Sequence, residues 1–325
     1  MTISRRFWVV ICCALPVRYS RPVVRVGRES WTSAVVRNAD WEARTMKIYI
    51  HWDMEGVSGL MIREQTWYWE DVVRPEVARK GLELITADAN AAAQAAPDAG
   101  ADEVIVCDAH HGGGNILLDK ALKDSRVTWH GRSRGEGNGK PRWMPGLDET
   151  VDGLMLPGHH AKAGTPNAFL PHTWQLEWED FQINGMSVGE IGIETCYAGY
   201  WDIPLILVQG DEVGCKEAEE QFPGVVTAAV KQPVDHDTCS GLEAEAGRSL
   251  TCEKVKEAIG ILRTDPPDSF KPDLPMTARI RMKTELGADL ACQREGVQQV
   301  DFKTVEKQLD RQCDVVKWIV DAGIE

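Results

Sequence analysis

The sequence predicts an α/β protein: a mixed, largely parallel sheet flanked by helices, with a smaller C-terminal α+β portion. Three observations carry this. From Met46 onward, short apolar runs alternate with segments of helical composition, the pattern of βαβ units. Four of the runs read as strands, and three are followed closely by Asp, Glu or His, as expected for polar loops at the carboxyl edge of a parallel sheet. The chain has 325 residues, 43% hydrophobic and 26% charged, enough for one large domain or two smaller ones and too apolar for bulk disorder.

Taken in order, Lys47 to Trp52 is a β-rich run that gives way to the polar, glycine-rich Asp53-Met54-Glu55-Gly56-Val57-Ser58-Gly59. Arg74 to Ala96 is helical, alanine-rich with Val77, Leu82, Leu84 and Ile85, and Pro97-Asp98-Ala99-Gly100 stops it. Glu103 to Cys107 is a buried-type strand followed by Asp108-Ala109-His110-His111 and three glycines; Asp152 to Leu156 is another, followed by Pro157-Gly158-His159-His160. Asp180 to Gly189 reads as a hairpin turning at Asn184-Gly185, and Glu190 to Tyr200 begins a helix. Ile203 to Val208 is the fourth strand. Lys216 to Gln221 and Leu242 to Leu262 are helical, Ala278 to Met282 is a strand, and Val300 to Ala322 predicts a closing helix with Val305, Leu309, Val315, Val316 and Ile319 on its inner face. The expected division is a metal-binding α/β catalytic domain over 46–215 and a C-terminal helical/α+β domain over 216–325.

Charge narrows the function. The net charge of −14 argues against a nucleic-acid partner, which requires a basic face. No apolar run of about 18 residues predicts a membrane span. Nine irregularly spaced cysteines read as free thiols in a reducing, cytoplasmic setting. Residues 1–45 differ from the rest: eight arginines, no lysine and three acidic residues give them a net charge of +5. They are expected to be an N-terminal extension outside the folded enzyme; a true export signal would want a small-residue cleavage site.

Six of the eight histidines (110, 111, 130, 159, 160 and 172) fall close together in sequence. A lone histidine is usually a packing or surface residue, so the joint pattern is what matters. Asp53 and Glu55 sit two apart and share a face of an extended segment. Asp108 has the same spacing to His110, as a carboxylate that orients an imidazole often does. His160 and Glu190 add a nitrogen and a carboxylate. Three carboxylates and two histidines suffice for two divalent ions if one carboxylate bridges; a shared hydroxide would complete the charge balance and supply a nucleophile. Histidine and carboxylate without thiolate suit zinc, manganese or cobalt in an open site. The bland alternative is a solvated loop with scattered histidines.

The segments Asp53-Met54-Glu55-Gly56-Val57-Ser58-Gly59, Asp108-Ala109-His110, Gly158 to Pro166, and Val188-Gly189-Glu190-Ile191-Gly192 occur in this order, with further matches at Ala198-Gly199-Tyr200, Gly210-Asp211 and Thr227 to Gln232. In this the chain resembles the bacterial zinc-dependent D-aminopeptidases of the dipeptide-transport operon, from Met46 almost to the end. The resemblance implies two Zn2+ per subunit, with Mn2+ or Co2+ as substitutes, Asp53 bridging, Glu55 and His160 completing one site, and His110 and Glu190 the other. It gives His172 a catalytic role, here read as assisting a metal-activated water rather than as the attacking group. It implies a short peptide substrate, preference for D-alanine-type residues, and a homo-oligomeric ring, a decamer. Where the family has Tyr this chain has His159; side chains alternate, so His160 is the expected ligand and His159 is not. His111 is expected beside the site or at the surface, and the three glycines as a loop, since no GK[ST] follows them. The alternative function is a dinuclear metal hydrolase acting on another amide or a phosphoester bond; a non-catalytic peptide binder is the rival of a different class.

Overall fold

The computed structural model describes residues 44–70, 73–131 and 143–321. Most of the arginine-rich 1–45 segment, and Ala322, lie outside the described residues. Strands β1 (Lys47–Trp52), β2 (Glu103–Asp108), β3 (Val127–His130) and β4 (Gly153–His159) open the first sheet. Strands β5 (Trp178–Ile183) and β6 (Met186–Val188) start a second one; β7 (Leu205–Asp211), β8 (Val226–Pro233) and β9 (Cys239–Gly241) complete the first, and β10 (Met276–Met282), β11 (Gln298–Asp301) and β12 (Thr304–Leu309) the second. The first sheet runs β3-β2-β1-β4-β7-β8-β9, parallel except for β9. The second runs β11-β12-β10-β5-β6 and is antiparallel. The described helices are α1 (Arg63–Thr66), α2 (Pro75–Asp98), α3 (Glu190–Gly199), α4 (Glu212–Gln221), α5 (Ala244–Thr264), α6 (Glu285–Ala291) and α7 (Asp314–Asp321).

Strand β1 shows why the first sheet is covered on both faces. Ile48, Ile50 and Trp52 point one way, into a core shared with Leu84, Ile85, Ala89, Ala92 and Ala96 of α2 and Val255, Ile259 and Leu262 of α5. The alanines let α2 lie close to the sheet. Tyr49 points the other way, into a core shared with Leu154 and Leu156 of β4, Ile191 and Cys196 of α3, and Phe181, Ile280, Val305 and Trp318 of the second layer. Each sheet draws strands from both sides of residue 215.

Several elements match their sequence reading closely. β1 has the expected bounds, α2 begins with Pro75 at its first turn, and the hairpin turns at Asn184 and Gly185, both with positive φ (48° and 84°) as a tight two-residue turn requires. Others differ. Helix α4 starts four residues early because the Asp211 carboxylate accepts the Val213 and Gly214 amides (2.8 and 3.0 Å) and caps it. The expected closing helix over 300–322 is a correction: residues 298–309 form the β11–β12 hairpin, and helix is confined to α7. Val305 and Leu309 are four apart, which fits one face of a helix and equally one face of a strand; β12 pairing with β10 decided it.

The carboxyl edge of β1, β4 and β7 is interlocked through glycines. Gly158 holds φ +79°, and a Cβ there would collide with the Asp53 carbonyl. A Cβ on Gly56 would lie 2.6 Å from both the Gly210 Cα and the His159 carbonyl oxygen. Gln209 ties the same loops, donating from Nε2 to the Gly56 carbonyl (3.0 Å) and accepting the Gly158 amide on Oε1 (2.7 Å). Gly158→Ala is therefore expected to lower stability by about 3 kcal/mol, from the left-handed backbone and the backbone collision together. A shift in the urea midpoint checks this; a change within about 0.5 kcal/mol, the range of neutral surface substitutions, would contradict it.

Candidate metal centre

The order β2-β1-β4 sets three strand ends side by side, and their loops carry the chemistry. Asp53 and Glu55 follow β1, His110 follows β2, His160 follows β4, and Glu190 opens α3 directly after the β5–β6 hairpin. His172 comes from the loop between β4 and β5. The structure brings all six together. His110 Nδ1 lies 2.8 Å from Asp53 Oδ1 and 3.2 Å from Glu55 Oε2. His160 Nε2 lies 3.4 Å from Asp53 Oδ2 and 3.5 Å from Glu190 Oε1, and His172 Nε2 is also 3.5 Å from Glu190 Oε1. The rings of His160 and His172 stack at 4.1 Å. The two oxygens of Asp53 thus face two different imidazoles, the disposition a bridging carboxylate needs.

Ligand-type atoms within 4.8 Å of one another form three sets: Asp53, Glu55 and His110; Asp53, His160 and Glu190; and Glu55, His160 and His172. Glu55 and His160 share a set, as the implied pairing has them, while His110 and Glu190 do not share one.

Each imidazole is fixed from behind. His110 Nε2 faces the Thr66 carbonyl (3.1 Å), His160 Nδ1 the Ala161 carbonyl (2.9 Å), and His172 Nδ1 the Leu170 carbonyl (2.9 Å). A carbonyl only accepts, so each of these nitrogens carries a proton and the other presents its lone pair inward when the ring is neutral. Burial alone would lower the His110 pKa, yet Glu55 and Asp53 hold it well above the ordinary value. His160 is raised in the same way, against burial, by Asp53 and Glu190. Burial would raise the Glu190 carboxyl, but His160, His172 and the Trp174 amide (2.7 Å) hold it down at about 2. His172 goes the other way, lowered by burial and by the charge of His160.

Asp108 corrects an expectation. Instead of orienting the His110 ring, it accepts the backbone amides of Gly114, Asn115 and Ile116 (3.1, 2.6 and 2.8 Å) and so shapes the loop that follows β2; Asn115 then donates to the His110 carbonyl. His111 stacks on Trp69, 4.1 Å between centroids, and His130 ends β3 away from the cluster. His159 lies outside the cluster too. Its Nε2 meets Glu194 Oε2 at 3.0 Å, and His51 Nδ1 reaches the same oxygen at 2.9 Å. This buried His51–Glu194–His159 group went unseen in the sequence, though Glu194 in an otherwise apolar stretch of helix was its signal.

Tryptophans were also missed. Trp67 Nε1 donates to Glu55 Oε1 at 2.7 Å, its ring stands edge-on to His172 (5.4 Å), and the Arg63 guanidinium covers it at 4.3 Å. Beside the cluster opens a cavity of about 710 Å³, whose lining includes Asp53, His110, His172 and Glu190 together with Trp67, Trp69, Trp143 and Trp174. Among the described residues no Lys or Arg lines it. Trp67→Phe keeps an aromatic ring but removes the donor that fixes Glu55, so divalent-ion affinity is expected to fall about tenfold. Chelator competition measures this; unchanged affinity would show that Glu55 needs no such support.

With the geometry in place, comparison with known proteins identifies its kin. The family whose model matches is described as D-aminopeptidase and covers residues 46–320. A D-aminopeptidase of Bacillus subtilis (strain 168) is 37% identical over 216 residues, 66% of this chain and 74% of that protein. The solved structure of the Zn-dependent D-aminopeptidase DppA from Bacillus subtilis, described as a self-compartmentalizing protease, superposes with a TM-score of 0.76 at 29% identity, covering 86% of this chain and 97% of the other. Matched over residues 46–320, the chain belongs to the D-aminopeptidase family of peptidases.

Proposed function

We propose that this protein is a dinuclear zinc aminopeptidase that removes an N-terminal residue of D configuration, D-alanine in type, from short peptides. The observation that carries the reading is the division of Asp53 between two imidazoles whose outer nitrogens are pinned by backbone carbonyls. The buried atoms Glu55 Oε2 and His160 Nε2, which have no aligned hydrogen bond among the described residues, fit a cation between them. Asp53 would bridge two ions, with Glu55, His110, His160 and Glu190 completing their shells. Imidazole and carboxylate suit zinc, with manganese or cobalt as substitutes, and the zinc dependence of the solved relative supports the first. When bound, the ions supply Lewis acidity toward the scissile carbonyl and lower the pKa of a water toward neutrality.

His172 is the proton carrier in this scheme. Burial lowers its pKa, and its Nδ1–H is donated to Leu170. Nε2 can therefore take a proton from the attacking water and pass it to the departing amine. Glu177 and Gln175, also at the cavity, offer acceptors for the substrate ammonium. The absence of a described Lys or Arg in the lining favours a peptide over a phosphoester, which would want one to grip it.

Among the described residues no helix is long and apolar enough to cross a membrane. Seven described cysteines are free, which supports a reducing, cytoplasmic setting. The self-compartmentalizing relative supports a homo-oligomeric ring, a decamer, and exposed Leu286, Leu290 and Phe302 supply apolar surface for such contacts.

The zinc-loaded protein is expected to hydrolyse D-alanyl-D-alanine with kcat/KM at least about a hundredfold above its L,L counterpart, and to leave bis(p-nitrophenyl) phosphate intact. Equal turnover of both enantiomers removes the stereochemical part, and faster phosphodiester cleavage replaces the reading. Glu190→Gln should cut turnover by about a thousandfold; wild-type turnover in this variant would point to a peptide-binding protein instead. Because His110 and His160 carry protons at pH 7 without metal, zinc binding should release about two protons per chain and tighten as pH rises. Calorimetry in buffers of different ionisation enthalpy measures the release; a value near zero contradicts the assignment.

A further inference from the structure

The cavity beside the cluster is lined by indoles as well as by the candidate ligands, and the rings of Trp69, Trp143 and Trp174 have no part in the chemistry described so far. Trp143 and Trp174 pack against each other with ring centroids 4.5 Å apart, and Trp69 stacks on His111 at the rim. Trp143 is buried, but the outer part of the wall is open: Trp69 is 41% exposed and Leu176, also in the lining, 50%. A cavity of about 710 Å³ is well beyond the need of an alanine side chain and lies within the range of pockets that enclose sizeable ligands.

The wall is pre-formed. The Tyr197 hydroxyl donates to the Trp143 carbonyl (3.2 Å) and the Tyr49 hydroxyl to the Pro145 carbonyl (3.0 Å), fixing that segment. The Trp174 amide donates to Glu190, so this indole is tied to a carboxylate of the proposed metal cluster. Trp174 also holds φ +60°, a conformation bulky L residues rarely adopt unless their surroundings impose it; such residues gather at ligand sites. The surface offers apolar area and π faces beside the proposed metal cluster and, among the described residues, no Lys or Arg for a carboxylate or phosphate.

We propose that Trp69, Trp143 and Trp174 form a side-chain subsite for a large apolar residue, aromatic above all, flanking the scissile bond. This rests on the peptidase reading of the adjoining site, and its test separates the two. For the zinc-loaded full chain, kcat/KM is measured on D-Ala–D-Ala, D-Ala–D-Phe, D-Phe–D-Ala and D-Lys–D-Ala, and calorimetric affinity on D-phenylalaninol and D-alaninol, which have no bond to cleave. One of the two phenylalanine peptides is expected to exceed D-Ala–D-Ala by about tenfold or more, the one that does so placing the subsite before or after the bond, and D-phenylalaninol to bind about tenfold more tightly than D-alaninol. In Trp174→Ala both ratios should fall toward one. Trp69→Ala, at the exposed rim, should lower them too and keeps the test open if the first variant does not fold. Wild-type ratios near one, ratios unmoved in the variants, or a preference for D-Lys–D-Ala overturn the subsite. If no peptide is cleaved, the peptidase reading fails, and the two amino alcohols still decide the subsite.

Discussion

Three carboxylates, Asp53, Glu55 and Glu190, are held within one buried cluster, and this crowding of like charge is the constraint on which the rest depends. At about 4 Å and an effective dielectric of about 20, the Asp53–Glu55 and Asp53–Glu190 pairs each repel by about 4 kcal/mol. Positive charge must stand among them. In the chain alone protonated His110 and His160 supply it, which is why their pKa values rise despite burial. A pair of divalent ions would do the same with more charge and leave the imidazole lone pairs in use. On the proposed reading, metal binding would exchange these protons for the ions.

The fold produces the crowding. Parallel strands β2, β1 and β4 end together, so loops distant in sequence meet at one edge. Glycines at 56, 158 and 210 let those loops approach more closely than any side chain allows, and Gln209 holds them there. Lys231, buried beneath the β1 loop, donates to the Leu60 and Val57 carbonyls (2.6 and 3.2 Å) and keeps the segment after Glu55 in place. Glu190 opens α3, where the positive end of the helix dipole favours its ionised form. Trp67 then links two functions in one side chain, fixing Glu55 through its N–H and bounding the cavity with its ring.

Much of this was legible in the chain because periodicity and loop chemistry are local signals. β1 could be read from its apolar run, the hairpin from Asn184-Gly185, and the six clustered residues from their places after strands and their ordered motifs. What escaped depends on tertiary pairing. Val305 and Leu309 satisfy helical and strand spacing alike, and only the partner strand β10 separates them. Trp67 reads as one more aromatic until its N–H is seen against Glu55. His159 and His51 look like spare histidines until Glu194, from a helix more than thirty residues on, is found between them. Asp108 has the spacing to orient His110 but is taken by three backbone amides instead.

Anomalous scattering recorded at the zinc edge, on crystals of the zinc-loaded protein, bears most directly on the central claim. The account predicts two peaks per chain about 3.5–4 Å apart, one on either side of the Asp53 carboxylate. A single peak, or a pair whose nearest carboxylate is not Asp53, would contradict it.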